Sequence, residues 1–142
     1  MRVLQPEGWA RPRGFSHGLA FLGNGDWIVL AGQTGAGPDG EYEVGNLAGQ
    51  VRVALMRVVD LLREDGATRD HVVRLTWYFT SRSDYESSAP AIAAAWRDTM
   101  GRSFPPSTLL YVAGLIDARA MVAFDVMAVV PDAPRSTKDE PY

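Results

Sequence analysis

The chain contains no cysteine. Disulfides, thiolate catalysis and cysteine-ligated zinc are therefore excluded. Histidine is almost as scarce: His17 and His71 are the only two, and they share no metal-ligand spacing. Neither a metal nor another cofactor is expected. Lysine occurs once, as Lys138, so thirteen of the fourteen basic residues are arginine. The arginines are scattered, and 17 acidic residues leave a net charge of −3. That balance argues against a stripe that tracks nucleic-acid phosphates. No apolar run approaches the ~18–20 residues of a membrane span. Residues 1–14 also lack the apolar stretch of a signal peptide. The expectation is a cytoplasmic protein with no membrane partner.

What is present suits one folded domain. The chain has 142 residues, 46% of them hydrophobic and 22% charged, both near globular averages. Residues 1–130 are expected to form a single domain. Residues 131–142 are polar and proline-rich, and read as a mobile tail. There are no internal repeats.

Residues 11–14 read as an irregular lead-in and 15–21 as a loose strand. Asn24-Gly25 signals a hairpin, because both residues tolerate positive φ. Residues 27–31 form an apolar strand, and the glycine-rich 32–40 a loop. Leu47, Val51, Leu55, Val58 and Leu62 recur at helical spacing. They predict a helix over 47–65, capped by Asn46 and ended by Gly66. Residues 71–80 read as a strand. Ser87, Ser88 and Pro90 predict the opening of a second helix that runs to Met100. Strands are expected at 107–112 and 121–130, with a turn at 117–119. This order defines an α+β two-layer sandwich, with helices on one face of the sheet.

The other face carries more information. In the last strand Val122, Phe124, Val126, Ala128 and Val130 point one way. Met121, Ala123, Asp125, Met127 and Val129 point the other. A sheet face left in water should be polar. Both faces are apolar here, and two helices cover only one, so the second face is expected to pack on another subunit.

Asp125 is the only charged residue in that strand. A carboxylate desolvated there is either a general acid/base or a structural group held by donors. Gln33, directly after an apolar strand, could orient a ligand or a turn. The 32–40 loop lacks the Gly-Lys-Ser/Thr and following helix of a phosphate loop. Ser107, His17 and Asp125 have no nucleophile-elbow spacing, so a hydrolase triad is disfavoured. Trp77 and Tyr78 lie on opposite faces of their strand, one toward the core and one toward the second face.

The series Gly14-Phe15-Ser16-His17, Val29-Leu30-Ala31-Gly32-Gln33, Gln50, Gly66-Ala67, Phe104-Pro105-Pro106 and the 122–128 strand resembles the YjgF/RidA (Rid, L-PSP) family. The resemblance spans roughly residues 14–130. It implies a chorismate-mutase-like fold, a mixed sheet and a homotrimer with ligand pockets between subunits. Characterised members hydrolyse enamines and imines such as 2-aminoacrylate to keto acids and ammonia. In them an arginine grips the substrate carboxylate and a glutamate handles the attacking water. Here those positions fall on Ser107 and Asp125. Other pocket positions fall on Phe15, Ala31, Ala89 and Leu109. The resemblance thus implies a site with Asp125 as catalytic residue and Phe15, Ala31, Gly32, Gln33, Ala89, Ser107 and Leu109 as substrate-binding residues. A carboxylate-bearing imine is then expected to bind much more weakly, unless Arg13 or Arg74 reaches in. A hydrolase acting on a larger or less polar imine or enamine is the first expectation, with weak or absent 2-aminoacrylate activity. A non-catalytic ligand-binding trimer is the alternative. The endoribonuclease activity ascribed to some members is weaker still, given the acidic charge balance.

Overall fold

The computed structural model describes residues 1–21 and 23–131. The expected tail therefore lies outside the described residues, apart from Pro131. Strands β1 (Arg2–Leu4) and β2 (Gly18–Ala20) form a small antiparallel pair. Strands β3 (Gly25–Val29), β4 (Gln33–Thr34), β5 (Val72–Phe79), β6 (Ser107–Tyr111) and β7 (Val122–Pro131) build the main sheet. Helix α1 (Leu47–Glu64) lies between β4 and β5, and helix α2 (Arg82–Met100) between β5 and β6. The sheet order is β3-β7-β5-β6, with β4 also paired to β7. β5 and β6 are parallel and all other pairings are antiparallel. A parallel pair needs a crossover, and α2 supplies it. The molecule is an α+β sandwich of two helices on a mixed sheet.

The periodic stripe of α1 becomes the core as expected. Val51, Leu55, Val58 and Leu62 are fully buried, and they meet Leu75, Phe79, Phe124 and Val126 from the sheet. The Asn46 side chain accepts a hydrogen bond from the Gly49 backbone N–H at 3.0 Å, the expected cap. Gly66, at φ +73°, ends the helix. Gln50 is also fully buried on this helix. Its Nε2 donates to the carbonyls of Glu43 and Arg119, at 3.1 and 3.0 Å. Its Oε1 accepts from the Met121 backbone N–H at 2.8 Å. One amide thus ties the loop before α1 to the approach to β7. Gly35 packs so closely that an added Cβ would lie 2.6 Å from Gln50 Cβ.

Three expectations change. Helix α2 starts at Arg82, five residues before the predicted opening at Ser87. Ser81 is its cap, its hydroxyl accepting from the Asp84 N–H at 3.2 Å. Pro90 therefore sits inside the helix. It withholds an N–H from the Glu86 carbonyl, which is tolerated because both residues are exposed to water. The Asn24-Gly25 hairpin does not join its flanking strands: β2 pairs with β1, while β3 pairs with β7. Gly25 serves close packing instead, since an added Cβ would lie 2.7 Å from the Val130 carbonyl oxygen. Finally, the apolar edge strand is interrupted by a bulge. Val29 faces Met127 and Gln33 faces Phe124, leaving three residues of one strand against two of the other.

Register assigns the two faces. Trp77 lies opposite Phe124 and Leu75 opposite Val126, on the helix-covered side. Thr76 lies opposite Asp125 and Tyr78 opposite Ala123, on the uncovered side. Trp27 and Val29 also belong to the uncovered side and are 59% and 70% exposed. No helix among the described residues is long and apolar enough to cross a membrane.

Candidate functional site

The expected site residues fall into separate places on one chain. Asp125 lies on the uncovered sheet face and is exposed. Its Oδ2 accepts a hydrogen bond from the Tyr78 hydroxyl at 2.6 Å. That bond, with lesser contributions from desolvation and the carboxylate's charge, raises the Tyr78 pKa above the usual 10. The phenol is therefore held protonated as a donor. Arg74 opposes the shift and lines the same small depression, as do Val29 and Met127. Gly32 belongs here too, since an added Cβ would lie 3.4 Å from Asp125 Oδ1. Ala31 is exposed on the bulge beside it.

Gln33 does not join this group. The bulge turns it toward the helix-covered side, opposite Phe124. Its Nε2 donates to the Ala31 carbonyl at 2.9 Å, and its Oε1 accepts from Arg57 Nε at 3.2 Å. Both ends of the amide are engaged within the chain. These contacts fit the other reading, a residue that fixes a turn.

The remaining expected residues gather in a second place. Phe15, Ala89, Ser107 and Leu109 line one cavity of about 540 Å3 between the lead-in, α2 and β6. Ser107 lies opposite Leu75 and Leu109 opposite Trp77, so both belong to the helix-covered side of the sheet. The Ser107 hydroxyl donates to the Pro105 carbonyl at 3.0 Å. Arg13 and Arg97 of α2 line this cavity, whereas Arg74 lines the depression at Asp125. Arg97 was not singled out by the sequence, where the second helix rests on Ser87, Ser88 and Pro90 as its opening. Its position one residue after Trp96 was the available signal.

Asp125 and the Ser107 cavity thus open on opposite faces of one sheet. Neighbouring residues Leu75 and Thr76 mark the two sides: Ser107 is registered to the first and Asp125 to the second. Within one chain the sheet keeps the carboxylate and this cavity apart. Among the described residues, no group of three or more His, Cys, Asp or Glu side chains is arranged to hold a metal ion.

Two helices on one face of a mixed sheet, with a carboxylate on the other face, define the class as a small two-layer α+β protein. The family model described as Endoribonuclease L-PSP matches residues 10–130, and the chain belongs to that family, also called YjgF or Rid. An uncharacterized protein of Streptomyces coelicolor is 29% identical over 127 residues, covering 89% of this chain and 90% of that protein. YyfB of Yersinia pestis, a protein of unknown function in the conserved Rid family, is similar at 27% identity with a TM-score of 0.79. That match covers 91% of this chain and 98% of YyfB. Rv2704 of Mycobacterium tuberculosis, a member of the YjgF/YER057c/UK114 family, is 28% identical with a TM-score of 0.61. It covers 83% of this chain and 88% of Rv2704.

Proposed function

We propose that the chain acts as a homotrimer and hydrolyses an imine or enamine larger or less polar than 2-aminoacrylate. The observation that carries this reading is the split of the site. Asp125 with Tyr78 lies on one sheet face, and the Ser107 cavity opens on the other. Packing the exposed Trp27 and Val29 face against a neighbouring subunit would unite one chain's carboxylate with another chain's cavity.

In this mechanism Asp125 takes a proton from water as the water adds to the imine carbon. Asp125 returns that proton to the nitrogen, the hydroxyl proton of the adduct follows it to nitrogen as the C–N bond breaks, ammonia leaves, and a carbonyl remains. Tyr78 holds Asp125 by the 2.6 Å hydrogen bond and fixes which oxygen is free to act. Ser107 supplies no positive charge, so a small carboxylate substrate lacks the charge-assisted bonds an arginine would give there.

A coupled assay that forms imines in situ from amino acids tests this. Wild-type protein is expected to turn over 2-aminoacrylate slowly and a bulkier imine faster. Asp125→Asn should lower the latter rate by roughly 10²–10⁴-fold. Activity that survives Asp125→Asn removes the acid/base role. If no imine is turned over, the non-catalytic binding trimer is the correct reading. RNA cleavage that rises with purity would instead support the ribonuclease activity in the family model's description, against the net charge of −3.

A further inference from the structure

The strand before Gln33 holds one residue more than its partner can match. Leu30, Ala31 and Gly32 stand against Asp125 and Val126 alone. The Leu30 N–H still donates to the Val126 carbonyl at 3.1 Å, so the ladder is interrupted just after it. A bulge re-aims the backbone, and this one brings Gly32 up to Asp125 Oδ1. Tyr78 holds the other carboxylate oxygen, which leaves Oδ1 as the oxygen that acts. Whatever fixes the bulge therefore fixes the surroundings of that oxygen.

The bulge is held from the far side of the sheet. Gln33 is buried there, and its Nε2 donates to the Ala31 carbonyl at 2.9 Å, inside the bulge. Arg57 of α1 engages the other end of the same amide, its Nε donating to Gln33 Oε1 at 3.2 Å. A guanidinium can only donate, so it turns the amide oxygen toward itself and the amide nitrogen toward Ala31. Arg57 Nη1 also donates to the Ala36 carbonyl at 3.1 Å. One side chain thus ties both ends of residues 33–36 to the helix. Among the described residues Arg57 forms no ion pair, although Asp60 and Glu64 line the same cavity. Its charge instead strengthens two bonds to neutral oxygens of the loop.

We propose that Arg57, acting through Gln33, is a positioning residue for Asp125. It sets the 30–32 bulge, and the bulge sets the backbone beside Oδ1. The path crosses the sheet: the cation lies on the helix-covered side and the carboxylate on the uncovered one. The proposal rests on the reading that Asp125 activates water, and it names what holds that carboxylate in place on the side opposite Tyr78.

Two measurements on the intact protein test it: the coupled imine assay and an NMR titration of the Tyr78 phenol. Arg57→Met keeps the aliphatic stem and removes every donor. It should lower kcat by roughly ten- to a hundredfold, the cost of a misplaced reacting group. KM should hold within about twofold, because the Ser107 cavity and the cavity at Arg57 share no residue. With Oδ1 unsupported, the carboxylate can turn away from the phenol, so the Tyr78 pKa should fall toward 10. Arg57→Lys keeps the charge but reaches only one of the two oxygens, and should fall between. It carries the test if Arg57→Met does not fold. Arg63→Ala, paired with Asp60 on the exposed side of the same helix, should change neither readout. An unchanged kcat, a rise confined to KM, or a fall in kcat with no phenol shift overturns the proposal and leaves the hydrolysis standing. If the wild type turns over no imine, the hydrolysis fails instead. The phenol titration then decides alone: a shift keeps Arg57 as the residue that places Asp125, and no shift removes it.

Discussion

The Tyr78 hydroxyl donates to Asp125 Oδ2 at 2.6 Å, diagonally across β5 and β7 on the uncovered sheet face. The carboxylate makes loss of the phenol proton harder, first through the hydrogen bond and then through burial and charge. Asp125→Asn removes the charge and weakens the acceptor. The expected result is a fall in the Tyr78 pKa toward 10, read by ultraviolet or NMR titration of the phenol. An unchanged titration means the pair does not exist in solution.

Ser107→Arg restores a cation at the strand position. Charge-assisted bonds of ~1.5–3 kcal/mol correspond to roughly ten- to a hundredfold tighter binding of a small carboxylate. The variant should lower KM for 2-aminoacrylate in the coupled assay by that factor. No change means that the carboxylate does not reach this strand end.

Gln50→Leu keeps the volume and removes every polar contact of a fully buried side chain. The carbonyls of Glu43 and Arg119 and the N–H of Met121 then lose their partner. An orphaned group sheltered from water costs ~1–3 kcal/mol, and these are partly sheltered, so a loss of about 2 kcal/mol or more is expected in urea unfolding. Gly35→Ala should also destabilise, because its Cβ would meet the α1 backbone at Gln50 at under 3 Å. A loss below about 1 kcal/mol for Gln50→Leu would mean that water replaces the amide.

Val29→Arg places a charge on the uncovered face, where Val29 is 70% exposed in a single chain. Light scattering should give about three times the 15.5 kDa chain mass for wild type and a smaller species for the variant. A wild-type mass of one chain would remove the shared site.

The Asp117–Arg119 pair gives a pH prediction. The Arg119 guanidinium and backbone N–H hold Asp117 down at about 2. The folded value lies below the unfolded one, near 3.9. The stabilisation is thus fully present above about pH 4 and is lost as pH falls toward 2. Asp117→Asn should flatten that part of the acid-unfolding curve, and an unchanged curve would show the pair to be without effect.

Much of the fold was legible because packing repeats along the chain. The 3.6-residue stripe of α1 and the two-sided apolar pattern of β7 each record a burial that extends over several turns or pairs. Trp77 and Tyr78 likewise divided as strand alternation requires. What was not legible arises from single displacements. The bulge before Gln33 shifts one residue and reverses its face, so an amide expected near Asp125 stands on the other side of the sheet. Pro90 reads as a helix opening until Ser81 is seen to cap one earlier. Strand β1 consists of three exposed residues, Arg2–Leu4, and carries no burial pattern to detect. Arg97 gained its meaning only when α2 was laid beside the lead-in.

The order of strands in the sheet also has a consequence for synthesis. β7 lies between β3 and β5 yet comes last in sequence among the described strands of the sheet. As the protein emerges from the ribosome, β3 and β4 have no sheet neighbour until residues 122–131 are free. Within the main sheet the β5-α2-β6 unit can close earlier, and its apolar face then waits uncovered. The nascent chain must therefore stay soluble with its central strand missing, which places the hazard of aggregation late in translation. Stalled chains ending just before Val122 should be markedly more chaperone-dependent than the complete domain.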